Sequence, residues 1–152
     1  ARDMLQAVQQ HLPEKGIFIA TAAVADWRSA EMAEQKIKKD GNARNSFLQL
    51  EENPDVLATV AQSPQARSGA LFCVGFAAET EKLLTHAQAK RQRKQVPLLV
   101  ANLGPATFGK DDNALLLIDE QGAVEWPRAS KQALAQQLVA EISRRLPDNL
   151  AT

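Results

Sequence analysis

Three short apolar runs, separated by stretches of helical character, constrain this chain more than any other feature. Ile17 to Ala25, Leu71 to Ala77 and Val96 to Ala101 are each bounded by polar or turn-forming residues. Their length and β-branched content predict strands, and the first is expected to be buried on both faces. Between the first two, Asn53-Pro54-Asp55 predicts a helix start: Asn at the cap, Pro at the first helical position, a carboxylate in the first turn. Val56, Leu57, Val60 and Ala61 form its apolar face, and Ser63-Pro64 is expected to close it. A longer helix is predicted from about Thr80 to Gln95. Strands alternating with helices indicate an α/β fold with βαβ units and a parallel sheet covered on both faces.

The ends of the chain add to that frame. Met4, Leu5, Val8 and Leu12 have helical spacing that stops at Pro13 and Gly16. Residues 28–45 are polar, charged and weakly periodic, which predicts a loop or flap with a short strand at 47–50. Gly104 to Asn113 is turn-rich. Ala114 to Ile118 and Ala123 to Trp126, joined through Glu120-Gln121-Gly122, are expected to form a hairpin. Ser130 then caps a last helix with Leu134, Leu138, Ile142 and Leu146 on one side.

Composition excludes several classes. The 18 basic residues match 18 acidic ones, so the basic excess of a dedicated nucleic-acid binder is missing. With no Tyr and few aromatics there is little on which bases could stack, and no nucleic-acid partner is expected. No apolar run approaches the roughly 20 residues of a membrane helix. The single cysteine, Cys73, rules out an internal disulfide or a Cys-built zinc site and suits a reducing compartment. There is no P-loop, no G-x-G-x-x-G after a strand and no G-x-S-x-G elbow. His11 and His86 fall in predicted helices with no partner pattern for metal or nucleophilic catalysis.

In open α/β sheets ligands bind beyond the carboxyl ends of the strands. Those ends here are Asp26, then Ala78-Glu79-Thr80, then Asn102, and three polar groups are expected on one edge. Taken singly, each is equally a place where a buried strand reaches solvent. The helix start at Asn53 offers free N–H groups to an anion, although Asp55 already brings negative charge there. Lys36-Ile37-Lys38-Lys39 concentrates ammonium groups, with Lys36 and Lys38 on one side of an extended chain. Lys90 and Lys94 stand one helical turn apart, where like charges repel and an intervening anion would relieve them. The same residues near a helix C-terminus also complement its dipole with no ligand.

Taken in order, these pieces resemble one family. Ala22-Ala23-Val24-Ala25-Asp26-Trp27, Lys36-Ile37-Lys38-Lys39, Asn53-Pro54-Asp55-Val56-Leu57 and Val74-Gly75-Phe76-Ala77-Ala78-Glu79-Thr80 are similar to the blocks of phosphopantothenoylcysteine synthetases. Lys90 to Lys94, Ala101-Asn102, Phe108 with Asp111 and Asn113, and Ser130-Lys131 continue the likeness over nearly the whole chain. The resemblance implies a Rossmann-like three-layer sandwich with a mostly parallel sheet and a C-terminal β-hairpin arm for dimerisation. On this reading 1–152 is one synthetase-type domain, with the loop and hairpin arm at 103–127.

It also implies a cytoplasmic ligase of coenzyme A biosynthesis. CTP activates the carboxylate of 4′-phosphopantothenate as an acyl-cytidylate with Mg²⁺, and the amine of cysteine then displaces CMP. Lys36 would stabilise charge in the activation step. Ala22 and Phe76 would line the nucleotide site, Asp26 would contact the nucleotide, directly or through the metal, and Pro54, Asp55, Val56 and Leu57 would face phosphate. Lys90 and Lys94 would hold the nucleotide from the next helix. FMN would belong only to a decarboxylase half preceding such a domain, and a homodimer would complete the sites.

Two departures stand out. The Gly-rich loop and a functional Asn with which the family opens are not in this sequence, and Leu103 stands where Asp is usual. The chain begins at Ala1 within helix-like sequence, so it is expected to be a piece of a longer ligase, itself weak or inactive. A non-catalytic nucleotide-binding or dimerisation module is the alternative.

Overall fold

The fold is given by a computed structural model that describes residues 1–14, 16–31, 35, 47–107, 109–147 and 150. In chain order its elements are α1 (Arg2–His11), β1 (Gly16–Ala20), β2 (Trp27–Ser29), β3 (Leu50–Glu52), α2 (Val56–Ala61), α3 (Pro64–Arg67) and β4 (Leu71–Glu79). Then follow α4 (Leu83–Lys94), β5 (Leu98–Leu103), α5 (Gly104–Thr107), β6 (Asp112–Ile118), β7 (Ala123–Ser130) and α6 (Lys131–Arg145). The main sheet has the order β1-β4-β5-β6-β7, while β2 and β3 form a separate ribbon. Pairing is parallel from β1 through β4 to β5 and antiparallel from β5 through β6 to β7. The parallel half is the expected βαβ unit; the sheet as a whole is mixed, because the hairpin joins it edge-on through β6.

Alternation along the strands sorts the core into two clusters. Cys73, Ala77, Leu99, Ala101, Leu116 and Ile118 face α2 and α4, with Val8 and Leu12 of the α1 segment packed against them. Val74, Leu98, Val100, Leu115 and Leu117 face α6 through Leu134, Leu138 and Ile142. The layers are therefore helix, sheet, helix. Ser130 Oγ accepts the Ala133 N–H at 3.2 Å and caps α6 as its sequence predicts. Asp119 accepts the N–H groups of Gln121 and Gly122 to close the β6–β7 turn, and Arg145 of α6 pairs with it. Burial pushes the Asp119 carboxyl up, but Arg145 and the turn N–H groups outweigh that and hold it below the ordinary carboxylate range.

The structure corrects several expectations. The first strand ends at Ala20, and Thr21 to Asp26 form a loop. β1 is an edge strand, not one buried on both faces: Ile17 and Ile19 are 42% and 39% exposed. The reason is that α6 packs on β6 and β7, so that among the described residues no helix packs closely on the far face of β1. The short strand expected at 47–50 is instead Leu50–Glu52, whose partner Trp27–Ser29 runs into the stretch read as loop. Ser63-Pro64 does more than end α2: Ser63 Oγ accepts from Ala66 N–H and caps the short α3. Cys73 stands as expected: mid-strand among apolar neighbours, it is the core residue its setting predicts, 1% exposed, and burial pushes its thiol up to about 11, which makes it a poor nucleophile. Among the described residues no helix is long and apolar enough to cross a membrane.

Gly75 is required by close approach. A Cβ there would stand 2.6 Å from Leu57 Cδ2 and 2.8 Å from Leu99 Cδ1. In a close-packed core neither side chain has room to retreat. Gly75→Ala is expected to destabilise the protein by about 1–3 kcal/mol, read as a lower urea midpoint with an unchanged slope.

Candidate functional site

Beyond the carboxyl ends of β1 and β4 lies a cavity of about 720 Å³. Ala22 and Asp26 border it from the loop after β1, and Phe76 from β4. Pro54, Asp55, Val56 and Leu57 border it from the entry to α2, and Lys90 and Lys94 from α4. The structure thus gathers Ala22, Asp26, Pro54, Asp55, Val56, Leu57, Phe76, Lys90 and Lys94 around one cavity, while Glu79, Thr80 and Asn102 of the expected polar edge do not border it. Lys36, Lys38 and Phe108 lie outside the described residues. Asn102 does not join the cavity, because its Nδ2 donates to Thr107 Oγ1 at 2.8 Å. A smaller cavity of about 510 Å³ opens at the opposite end of the sheet, by Cys73, Arg91 and Gln95. It holds one charged group, Arg91, whose Nε donates to the Pro97 carbonyl, so the chemistry belongs to the larger cavity.

Asn53 and Arg28 hold the loop that carries Asp26. The Asn53 N–H donates to the Asp26 carbonyl at 2.7 Å, and its Nδ2 donates to the Ala25 carbonyl at 2.8 Å. Arg28 Nη1 donates to Asn53 Oδ1 and to the Glu52 carbonyl, while its Nη2 pairs with Glu51 at 2.6 Å. With its amide committed there, Asn53 is not the helix cap. Asp55 is: its Oδ1 accepts the Ala58 N–H at 3.0 Å, so α2 begins at Val56 and Pro54 lies before the helix. The anion site expected at that helix start is occupied by the protein's own carboxylate.

Lys94 Nζ lies 2.9 Å from Asp55 Oδ2. Burial pushes the Asp55 carboxyl up, yet the Ala58 N–H, Lys94 and the nearby Arg93 outweigh it and hold it below 3.8. Lys90 Nζ lies 2.8 Å from Glu79 Oε1. The repulsion anticipated between Lys90 and Lys94 is therefore relieved within the protein, by one carboxylate from α2 and one from the tip of β4. Arg93 also borders the cavity and is an additional cation of the site. Its position, three residues after Lys90, was legible from the same helical spacing that marked Lys94.

The walls mix two chemistries. Phe18, Phe76 and a run of small residues from Ala22 to Ala25 give an apolar side, and Lys90, Arg93 and Lys94 give a cationic one. No Ser, Thr, Cys or His borders it among the described residues. Walls of this kind are complementary to a ligand with a flat ring and anionic groups. Asp26 forms no ion pair among the described residues and is exposed at the rim, and no cluster of three metal-ligating side chains occurs among them. A divalent cation here would be held by one carboxylate together with ligand phosphates, the mode common for Mg²⁺.

Fold and site define a Rossmann-like α/β domain with its binding cleft at the carboxyl edge of the parallel strands. The sequence profile of the DNA/pantothenate metabolism flavoprotein C-terminal domain matches residues 1–146, and the chain belongs to that family. It is 40% identical over 152 residues to the coenzyme A biosynthesis bifunctional protein CoaBC of Haemophilus influenzae, covering 99% of this chain and 37% of that protein. Against the Vibrio cholerae CoaBC it is 38% identical over 147 residues, covering 95% and 36%. The chain thus spans little more than a third of the length of these relatives. A crystal structure of the C-terminal domain of CoaBC superposes with a TM-score of 0.70 at 28% identity, covering 93% of this chain and 60% of the other. The DNA/pantothenate metabolism flavoprotein of Streptococcus pneumoniae shares the fold, with a TM-score of 0.70 at 16% identity over 95% of this chain and 69% of that one.

Asp55 makes a pH-dependent contribution to stability. Its folded-state value is depressed, so the contribution is complete above the ordinary 3.8 and is lost as pH falls through the lower folded value. Asp55→Ala is expected to cost about 1 kcal/mol near neutral pH through the lost cap. Urea titrations at pH 7 and pH 3 should show that difference shrinking in acid.

Proposed function

We propose that this chain supplies the synthetase chemistry of coenzyme A biosynthesis, joining 4′-phosphopantothenate to cysteine at the expense of CTP. One observation carries the reading: in a member of this family, Asp26, Phe76, Lys90, Lys94 and the backbone entering α2 border a single cavity. A relative of the same fold, the Cab2 H337A mutant, is described as a complex with phosphopantothenate-cysteine (TM-score 0.61, 18% identity).

The chemistry accounts for the residue types. A carboxylate oxygen of 4′-phosphopantothenate attacks the α-phosphorus of CTP, and pyrophosphate leaves. The cysteine amine then attacks the acyl carbon, CMP leaves, and an amide forms. Both reactants of the first step are anions, so their approach is opposed until cations neutralise the phosphates. Lys90 and Lys94 serve that purpose: Lys94 exchanges its contact with Asp55 for phosphate oxygens, and Lys90 directs its remaining N–H donors to them. Phe76 and the Ala22 region take the base and ribose side. Mg²⁺, when bound, would neutralise triphosphate charge, and Asp26 would contact the nucleotide, directly or through that ion. Lys36 stabilises the charge that grows as the acyl-cytidylate forms. Excluding water from the cavity protects that hydrolysable anhydride.

The remaining partners follow from the same reading. The reaction is cytoplasmic, the protein is a homodimer meeting through the β6–β7 hairpin, and FMN belongs to a separate decarboxylase half. Residues 1–152 act as one synthetase-type unit within a longer chain.

Two substitutions test the roles. In the complete protein, Lys36→Ala is expected to slow acyl-cytidylate formation by about 10²–10³-fold with the thermal midpoint unchanged; a wild-type burst in rapid-quench kinetics would refute its role. Asp26→Asn is expected to weaken CTP binding in the presence of Mg²⁺, measured by calorimetry, and equal affinity in both proteins counts against the assignment. Failure of the complete wild-type protein to bind CTP at all removes the synthetase reading.

A further inference from the structure

Glu79 sits at the carboxyl tip of β4, behind the cavity wall rather than in it. Its side chain is only 14% exposed. A carboxylate so covered is unfavourable unless cations hold it. Oε1 is buried, has no aligned hydrogen-bond donor among the described residues, and lies 2.8 Å from Lys90 Nζ. Oε2 lies 3.8 Å from Nδ1 of His86, one helical turn before Lys90. One carboxylate on the central parallel strand therefore faces two side chains on the same side of α4.

We infer that Glu79 is a positioning residue, fixing the Lys90 ammonium at the cavity wall in the orientation that receives a phosphate of the nucleotide. This inference rests on the nucleotide reading given above. Lysine is a point charge on a flexible four-carbon stem, and ordering that stem opposes binding when it happens only as the ligand arrives. The pair with Glu79 does the ordering beforehand. Lys90 has three N–H donors, so one directed at Glu79 leaves two for the ligand. The second lysine differs: the partner of Lys94 is Asp55, whose side chain is 44% exposed and can be rehydrated when phosphate displaces it. Glu79, largely covered, cannot easily be rehydrated and stays with Lys90.

A carboxylate that merely neutralised Lys90 would repel the nucleotide, and its removal would tighten binding. A positioning carboxylate gives the opposite sign. The test is calorimetric titration of CTP into the complete protein as wild type, Glu79→Gln, Lys90→Met and the double variant, with thermal midpoints recorded. Glu79→Gln is expected to raise the Kd roughly tenfold, and the double variant is expected to bind no worse than Lys90→Met alone. Tighter or unchanged binding in Glu79→Gln overturns the inference, as do independent, additive losses. Glu79→Asp keeps the charge but shortens the reach; a few-fold rise in Kd is expected, and wild-type affinity there also overturns the role, whether or not Glu79→Gln folds. If Lys90→Met alone leaves the Kd unchanged, or wild type does not bind CTP, the nucleotide reading fails and this inference falls with it.

Discussion

The parallel pair β4–β5 has no side left for solvent, and the rest of the molecule follows from that. Leu71, Cys73, Val74, Leu98, Leu99 and Val100 are all buried, half of them under α2 and α4 and half under α6. A strand packed on both faces can place a polar group only at its end. Loops and helix starts collect at the carboxyl ends of these strands, which is where Phe76, the Asp26 loop and the entry to α2 meet. Gly75 is part of the same constraint, since it lets Leu57 of α2 press onto the sheet and sets the depth at which α2 begins.

The site is built from charge pairs that bridge elements. Asp55 serves both as helix cap and as partner of Lys94, so it ties α2 to α4 across the cavity. Glu79 ties the tip of β4 to α4 through Lys90. Arg28 and Asn53 tie the Asp26 loop to the chain entering α2. Four stretches of chain are thereby held around one space. Lys90 and Lys94 are held by carboxylates at the edge of that space, the contact of Lys94 being with the more exposed Asp55.

Some of this was legible in the residues alone. The strand cores, the hairpin turn at Gly122, the cap at Ser130 and the spacing of Lys90 and Lys94 are local signals, and local signals survive folding when nothing competes with them. Asn53 and Asp55 show the opposite case. Both are good helix caps by type, and the choice was made by Arg28, far away in sequence, which engages the Asn53 amide and leaves Asp55 to cap. The burial expected for Ile17 and Ile19 failed for a related reason. Hydrophobicity says that a strand prefers cover, but only the path of α6 says which strands receive it.

By itself the sequence determined the alternation of strand and helix, the residue types of the site and, through ordered blocks, the family. Those properties reside in neighbours along the chain, within reach of one turn or one strand. The tertiary structure decided which carboxylate answers which lysine, which residue caps α2 and which strand forms the open edge. Those choices depend on groups tens of residues apart whose energies exist only once the sheet brings them within a few ångströms.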